Sequence, residues 1–489
     1  MTVNYKFKTI PYKHQQTALD KCGDNKCFGL FMEMGTGKSK VLIDNLGMLF
    51  CKGKVNFALI IAPKGVYRNW VEKEIPQHLS DSVPYRVIRW VSSANKKQTE
   101  EMRSVKDTFS GLTIFVMNVE AFSTLKGKNA GEWMAKNYGS HGMIVVDEST
   151  SIKNHKAKRT KSLIKIAESF DYTRILTGSP VTNSPLDIYA QTEFLRPGLL
   201  GFDSYWAFQA RYAVTQNVKM GAHSFTQIRG YRNLDDLQWR LDKFSYRVLK
   251  KDCLDLPEKT FTSRYVTLSD KQHDWYQRIK REAMILLDNG DLVTAPAVIT
   301  QMLRLQQILS GHIKTDDGDV VSIPTKRLEA VTDILDESSS KAIIWSRFRH
   351  DIVSITSELN KKYGTGSAAA YFGDTSDDER NRIVRDFQDP KSKLRYLIGN
   401  PSTAGYGLTL TEANLVIYYA NDFNLATRMQ SEDRAHRIGQ NNPVTYVDLI
   451  CESTIDEKIV SALQAKIDIS AKVLGEEVRE WLNLKPTRS

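Results

Sequence analysis

Residues 28–33 form a strand-like run that leads directly into Met34-Gly35-Thr36-Gly37-Lys38-Ser39, and a second run, 143–146, ends in Asp147-Glu148. The glycines of the first segment remove Cβ atoms, so successive backbone N–H groups can turn inward at the start of the following helix, where an anion is stabilised. A lysine there offers positive charge to a polyphosphate and a serine offers a hydroxyl to a divalent cation, which a carboxylate at a neighbouring strand end can hold. Lys38, Ser39 and Asp147 are the residues in those positions, so the chain is expected to bind ATP and Mg2+. Taken singly, a flexible strand-to-helix turn or an acidic strand end would explain each feature. Their occurrence together, in this order and each on an apolar run, favours the nucleotide site. The general phosphate-loop pattern has a glycine where this chain has Met32.

Short β-rich runs at 57–62, 113–117, 143–146 and 174–177 alternate with helical stretches. That rhythm predicts βαβ units and a parallel sheet covered on both faces. A second set follows at 341–346, 368–372, 395–399, 415–420 and 444–450, so two α/β domains are expected. A chain of 489 residues exceeds what one core serves, which agrees with that division. Between the two sets the pattern changes to long helical stretches at 268–287 and 295–309. The expected organisation is an N-terminal lobe over 1–200, a helical linker region over 201–324, a C-terminal lobe over 325–460 and a bracing helix over 461–489. The tail from 454 to 484 reads as helix, with Ile455, Ile459, Leu463 and Ile467 at a four-residue spacing, the period of a buried helical stripe.

Composition narrows the partners. A net charge of +11 and a pI near 9.1 favour a polyanion, although basic surfaces are informative only beside a nucleotide site. The five cysteines, Cys22, Cys27, Cys51, Cys253 and Cys451, form no paired knuckle, so neither a disulfide framework nor a zinc module is indicated. No apolar run approaches the length of a membrane span and residues 1–9 lack a signal-peptide core, so a cytoplasmic or nuclear protein is expected.

Read in order, the motifs resemble the superfamily-two helicase-like ATPases, and within them the Swi/Snf family. Tyr12-Lys13-His14-Gln15 sits where that superfamily carries its adenine-reading glutamine; a side-chain amide can pair with donor and acceptor edges of a base. Ala62-Pro63-Lys64-Gly65-Val66-Tyr67-Arg68-Asn69-Trp70 is similar to the first DNA-strand segment. Asp147-Glu148-Ser149-Thr150, followed by Ile152-Lys153-Asn154, resembles the Asp-Glu-x-His box, with Thr150 in place of histidine. That departure bears on the coupling of nucleotide state to the neighbouring motif, Leu176-Thr177-Gly178-Ser179-Pro180-Val181-Thr182-Asn183. Arg247-Val248-Leu249-Lys250-Lys251-Asp252, then Leu256-Pro257-Glu258-Lys259, typify the Swi/Snf branch. In the second half, Ile343-Ile344-Trp345-Ser346-Arg347-Phe348, Ser402-Thr403-Ala404-Gly405-Tyr406-Gly407 and Gln430-Ser431-Glu432-Asp433-Arg434-Ala435-His436-Arg437-Ile438-Gly439-Gln440 resemble the family's later motifs. The resemblance spans residues 12–440.

The resemblance implies two RecA-like parallel-sheet lobes with a helical insertion between them. It also implies roles for particular residues. Gln15, Gly35, Thr36, Gly37, Lys38, Ser39, Gly405 and Gly407 would bind the nucleotide, and Ser39 and Asp147 the metal. Lys38, Asp147, Glu148, Arg434 and Arg437 would carry catalysis, with Glu148 orienting water and the two arginines acting as fingers from the C-terminal lobe. Lys64, Asn69, Lys153, Lys156, Lys158 and Thr403 would contact nucleic acid. Backbone contacts suit movement along DNA, because phosphates repeat without sequence information. The implied function is an ATP-dependent translocase that remodels double-stranded DNA or DNA-bound proteins, expected as a monomer, with duplex or branched DNA as the partner. The competing readings are a strand-separating helicase, a branch-migration motor, and an ATP-gated DNA-binding scaffold with little turnover.

Overall fold

In the computed structural model, residues 5–64, 66–220, 223–288, 295–315, 318–404 and 408–474 are described. The first sheet is built from β1 (Cys27–Met32), β2 (Phe57–Ala62), β3 (Tyr85–Arg89), β4 (Leu112–Asn118), β5 (Gly142–Asp147) and β6 (Tyr172–Leu176). A two-stranded ribbon, β7 (Ala213–Met220) and β8 (His223–Tyr231), precedes β9 (Ser245–Val248), which returns to the first sheet. The strand order is β3-β4-β2-β5-β6-β1-β9, and every pairing is parallel. Parallel strands are covered by helices on both faces, which requires continuous apolar runs and not alternation. β2 reads Phe-Ala-Leu-Ile-Ile-Ala and is buried at every residue. β5 is likewise buried throughout, including its terminal Asp147.

The second sheet begins with β10 (Lys259–Val266). After the small pair β11 (His312–Lys314) and β12 (Val320–Ser322) come β13 (Lys341–Trp345), β14 (Ala368–Tyr371), β15 (Tyr396–Gly399), β16 (Ala413–Tyr418) and β17 (Val444–Cys451). Its order is β10-β17-β16-β13-β15-β14, again parallel throughout. On β13, Ala342 and Ile344 join one apolar cluster while Ile343 and Trp345 join another, as alternation across a doubly covered strand demands. Ile455, Ile459, Leu463 and Ile467 of the helix Ile455–Leu474 enter the first of these clusters, so the four-residue spacing marks a core-facing stripe. The part of the tail beyond 474 lies outside the described residues.

The fold is therefore α/β, with two parallel sheets. The chain divides into two compact units, one mainly Met1–Val214 with Arg229–Asp255 and the other mainly Leu256–Asp468. The stretch read as a helical region holds the helices Asp270–Asp288 and Ala295–Ser310, but it also donates an edge strand to each sheet, β9 to the first and β10 to the second. Among the described residues no helix is long and apolar enough to cross a membrane.

Candidate nucleotide and nucleic-acid sites

The glycine loop joins the C-terminal end of β1 to the helix Lys38–Cys51. Gly35 has φ 83° and Gly37 φ 88°, the left-handed conformation that only glycine adopts freely. A Cβ on Gly37 would lie 2.2 Å from Gln15 Nε2, so this glycine is needed both for its dihedral and for the side chain packed on it. Thr36 closes the loop from within: its hydroxyl donates to Glu33 O at 2.7 Å. Lys38 is buried and its Nζ donates to Glu33 O at 3.3 Å. Ser39 is half-buried in the first turn of the helix, where backbone N–H groups lack intrahelical partners.

Gln15 is buried and already engaged, accepting from Tyr12 N at 3.0 Å and donating to Thr36 O at 3.1 Å. His14 Nε2 donates to the same Thr36 oxygen at 2.8 Å, so the two side chains grip the loop together. From the sequence His14 reads as an exposed polar residue; only its approach to the loop in three dimensions assigns it here. Glu33, just before the loop, is fixed from the far side. Its carboxylate accepts from Lys250 N at 2.7 Å, and Arg247 Nη2 lies 4.0 Å away. Arg247 Nη1 donates to Phe31 O at 3.1 Å and to Gly178 O at 2.8 Å. The Arg247-to-Asp252 motif thus acts on the loop through β9, which runs beside β1.

Asp147 ends β5 on the same edge of the sheet, with β6 between it and β1; ligands of open α/β sheets bind at that carboxyl edge. The buried indole N–H of Trp70 donates to Asp147 Oδ2 at 2.9 Å, and Glu148 N donates to Oδ1 at 2.9 Å. Burial pushes the Asp147 carboxyl above the usual carboxylate range, opposed by the Trp70 bond, the Lys38 charge and the Glu148 N–H. Trp70 opens a π-helical turn, Trp70–Glu74, that aims its ring inward. Glu148 holds φ 48°, ψ 60°. Such a conformation costs a non-glycine residue about 1–3 kcal/mol and is retained where the surrounding structure requires it.

Thr150, the departure from the histidine box, is half-buried in the turn Ser149–Ile152. A contact to the neighbouring motif is made one residue earlier: Ser149 Oγ donates to Gln191 Oε1 at 2.6 Å, and Gln191 Nε2 donates to Pro180 O at 2.8 Å. All three belong to the first unit. Gln191 was not legible as a site residue, because its partners lie on other elements.

The expected nucleic-acid residues separate. Lys153 Nζ donates to Thr182 Oγ1 at 2.6 Å and pairs with Asp187 at 3.4 Å, so its charge is committed inside the unit. Asn69 donates to Glu74 Oε1 at 2.9 Å. Lys64, Lys156 and Lys158 are exposed. Lys156 lies over the ring of Trp206, itself 65% exposed.

In the second unit, Arg434 is buried and Arg437 half-buried, and both donate to Leu408 O, at 3.2 and 3.1 Å. Thr403 lies in the short helix Pro401–Ala404. Gly405 and Gly407 fall outside the described residues.

The loop fits a triphosphate: two left-handed glycines, a buried lysine and a helix start converge at the sheet edge that also carries Asp147. Residues 17–312 match the SNF2-related domain and residues 326–439 the helicase conserved C-terminal domain. An uncharacterised ATP-dependent helicase of Mycoplasma genitalium is 25% identical over 466 residues, covering 94% of this chain and 42% of that protein. Human SWI/SNF-related matrix-associated actin-dependent regulator of chromatin subfamily A member 1 is 26% identical over 474 residues, covering 91% of this chain and 41% of that protein. The chain thus spans less than half the length of these curated relatives. A solved SWI2/SNF2 ATPase core from Sulfolobus solfataricus, in complex with dsDNA, aligns over 97% of this chain and 96% of that one at 23% identity and a TM-score of 0.43; the fold assignment rests instead on the two sheets. With a matching domain over more than half its length, the chain belongs to the SNF2-related family.

Proposed function

We propose that the chain is a nucleic-acid-dependent ATPase that converts hydrolysis into movement along duplex DNA. The observation that carries this reading is the shared edge of the first sheet, where the glycine loop with Lys38 and the Trp70-braced Asp147 lie one strand apart. Membership of the SNF2-related family supports it, as do relatives described as an ATP-dependent helicase and as chromatin-remodelling subunits.

Phosphoryl transfer to water needs positioning and charge neutralisation more than covalent help. Lys38 and the loop N–H groups would hold the phosphates, while Gln15 and His14 keep the loop in shape and Gln15 would read the base. Ser39 and Asp147 would hold Mg2+, which when bound neutralises phosphate charge. Glu148, held in a left-handed backbone conformation, is the group assigned to orient water. Arg434 and Arg437 are assigned to the developing charge. Lys64, Lys156 and Lys158 of the first unit and Thr403 of the second remain assigned as backbone contacts to DNA, while Lys153 and Asn69 are held by partners within the first unit.

The test is ATP hydrolysis with no nucleic acid and with single-stranded, duplex and branched DNA and RNA. Strongest stimulation by duplex supports the proposal; stimulation by single strands alone favours a strand-separating helicase.

A further inference from the structure

The second unit contains a cluster that the nucleotide chemistry does not use. His312 opens β11, and His350 and Asp351 lie in the first turn of the helix Arg349–Tyr363. His312 is 3% exposed and Asp351 2%, whereas the His350 side chain is 32% exposed. Asp351 Oδ1 lies 3.0 Å from His312 Nδ1 and 3.9 Å from His350 Nδ1. One ligand atom from each residue lies within 4.8 Å of the others. No aligned hydrogen bond reaches His312 Nδ1, His350 Nδ1 or Asp351 Oδ1, although all three atoms are buried.

An imidazolium–carboxylate pair accounts for His312 and Asp351, but His350 Nδ1 meets the same carboxylate oxygen only at 3.9 Å, too long for a well-formed hydrogen bond. Burying a polar atom without a partner is costly, and a shared cation satisfies all three at once. Ligands on a tetrahedral zinc ion, at bond lengths of 2.0–2.2 Å, stand about 3.3 Å apart, which the observed spacings bracket. The outer contacts fit as well. Ser346 Oγ donates to Asp351 Oδ2 at 2.6 Å, occupying the oxygen that the ion would not, and Ser322 Oγ stands 3.4 Å from His350 Nε2. Such contacts orient metal-bound carboxylate and imidazole groups. The nearby positive charge of Arg349 is paired with Asp374 at 2.6 Å.

We propose that His312, His350 and Asp351 form a site for a divalent transition-metal ion of the zinc class, with solvent completing its coordination. The two-nitrogen, one-oxygen donor set suits zinc better than magnesium or calcium, which prefer oxygen ligands. The ion would pin the β11–β12 pair to the start of the helix Arg349–Tyr363, and hence the helix Ala295–Ser310 to the sheet it precedes. This inference does not depend on the ATPase reading.

The test uses the full chain, free of any histidine tag, stripped with chelator and titrated with ZnCl2 in the absence of nucleotide, with CoCl2 as a spectroscopic probe. Wild type should retain one equivalent of zinc per chain after dialysis, develop the visible absorption of low-coordinate cobalt, and melt at a higher temperature with zinc. His350→Ala, at the partly exposed ligand, should lose that equivalent and the absorption while its circular dichroism is unchanged. Ser346→Ala, which leaves the ligands in place, should bind about 10–100-fold more weakly. Absence of bound zinc in wild type, or equal zinc and cobalt uptake by His350→Ala, overturns the proposal.

Discussion

The indole N–H of Trp70 donates to Asp147 Oδ2 at 2.9 Å across 77 residues of sequence, and both side chains are buried. Trp70→Phe keeps an aromatic ring but removes the N–H donor and part of the indole volume, leaving a buried carboxylate oxygen short of a partner beside a small void. A loss of about 1–3 kcal/mol is expected. Denaturant melts should register that loss, and steady-state hydrolysis should fall by more than duplex affinity does, because the carboxylate and not the DNA surface is disturbed.

Gly37 should not tolerate a side chain. Its φ of 88° and the 2.2 Å approach of Gln15 Nε2 act independently. Gly37→Ala is expected to abolish ATP binding measured by calorimetry. Adding Gln15→Ala removes the steric conflict but neither the dihedral strain of about 1–2 kcal/mol nor the loss of the Gln15 bond to Thr36 O, so ATP binding should stay weak.

Lys153 and Lys158 carry the same charge but different contacts. Lys153 is tied to Thr182 and Asp187, whereas Lys158 is exposed at the start of the helix Lys158–Ala167. Lys158→Ala should lower the slope of log affinity for duplex against log salt by about 0.9 for one lost phosphate contact, with an unchanged melting temperature. Lys153→Ala should lower the melting temperature and leave that slope nearly intact. Fluorescence anisotropy at several salt concentrations separates the two.

His78 introduces a pH dependence. Burial and the nearby Lys40 charge push its ring down from the ordinary 6.5 to about 4, while its Nδ1 meets Thr9 Oγ1 at 3.0 Å. The unfolded chain therefore binds the proton between those values and the folded chain does not. Stability should be fully present above pH 6.5 and decline as the pH falls toward 4. His78→Gln should flatten the melting temperature over that window if this ring is responsible; an unchanged slope contradicts the assignment.

What could be read from the sequence was what contiguous residues specify. The glycine loop, the Asp147-Glu148 strand end and the fully buried central strands each declare themselves within a few residues. Two of the edge strands did not: β9 reads Ser-Tyr-Arg-Val and β10 alternates half-exposed with exposed residues over most of its length, because neither carries the continuous apolar run of a central strand. Equally hidden were Trp70 as the partner of Asp147, Gln191 as the bridge from Ser149 to Pro180, and the His312–Asp351 cluster, all of which exist only once distant segments pack. Lys153 shows the same limit from the other side, since a sequence displays its charge but not the Asp187 that holds it.

The most direct test is steady-state ATP hydrolysis by the full chain at fixed salt, with and without duplex DNA, for wild type, Lys38→Ala and Arg437→Ala. Duplex should stimulate wild type, Lys38→Ala should lose turnover, and Arg437→Ala should fall by about 10³–10⁵ while duplex binding persists in both variants. Equal wild-type rates with and without duplex, or near-full turnover in either variant, would contradict the account.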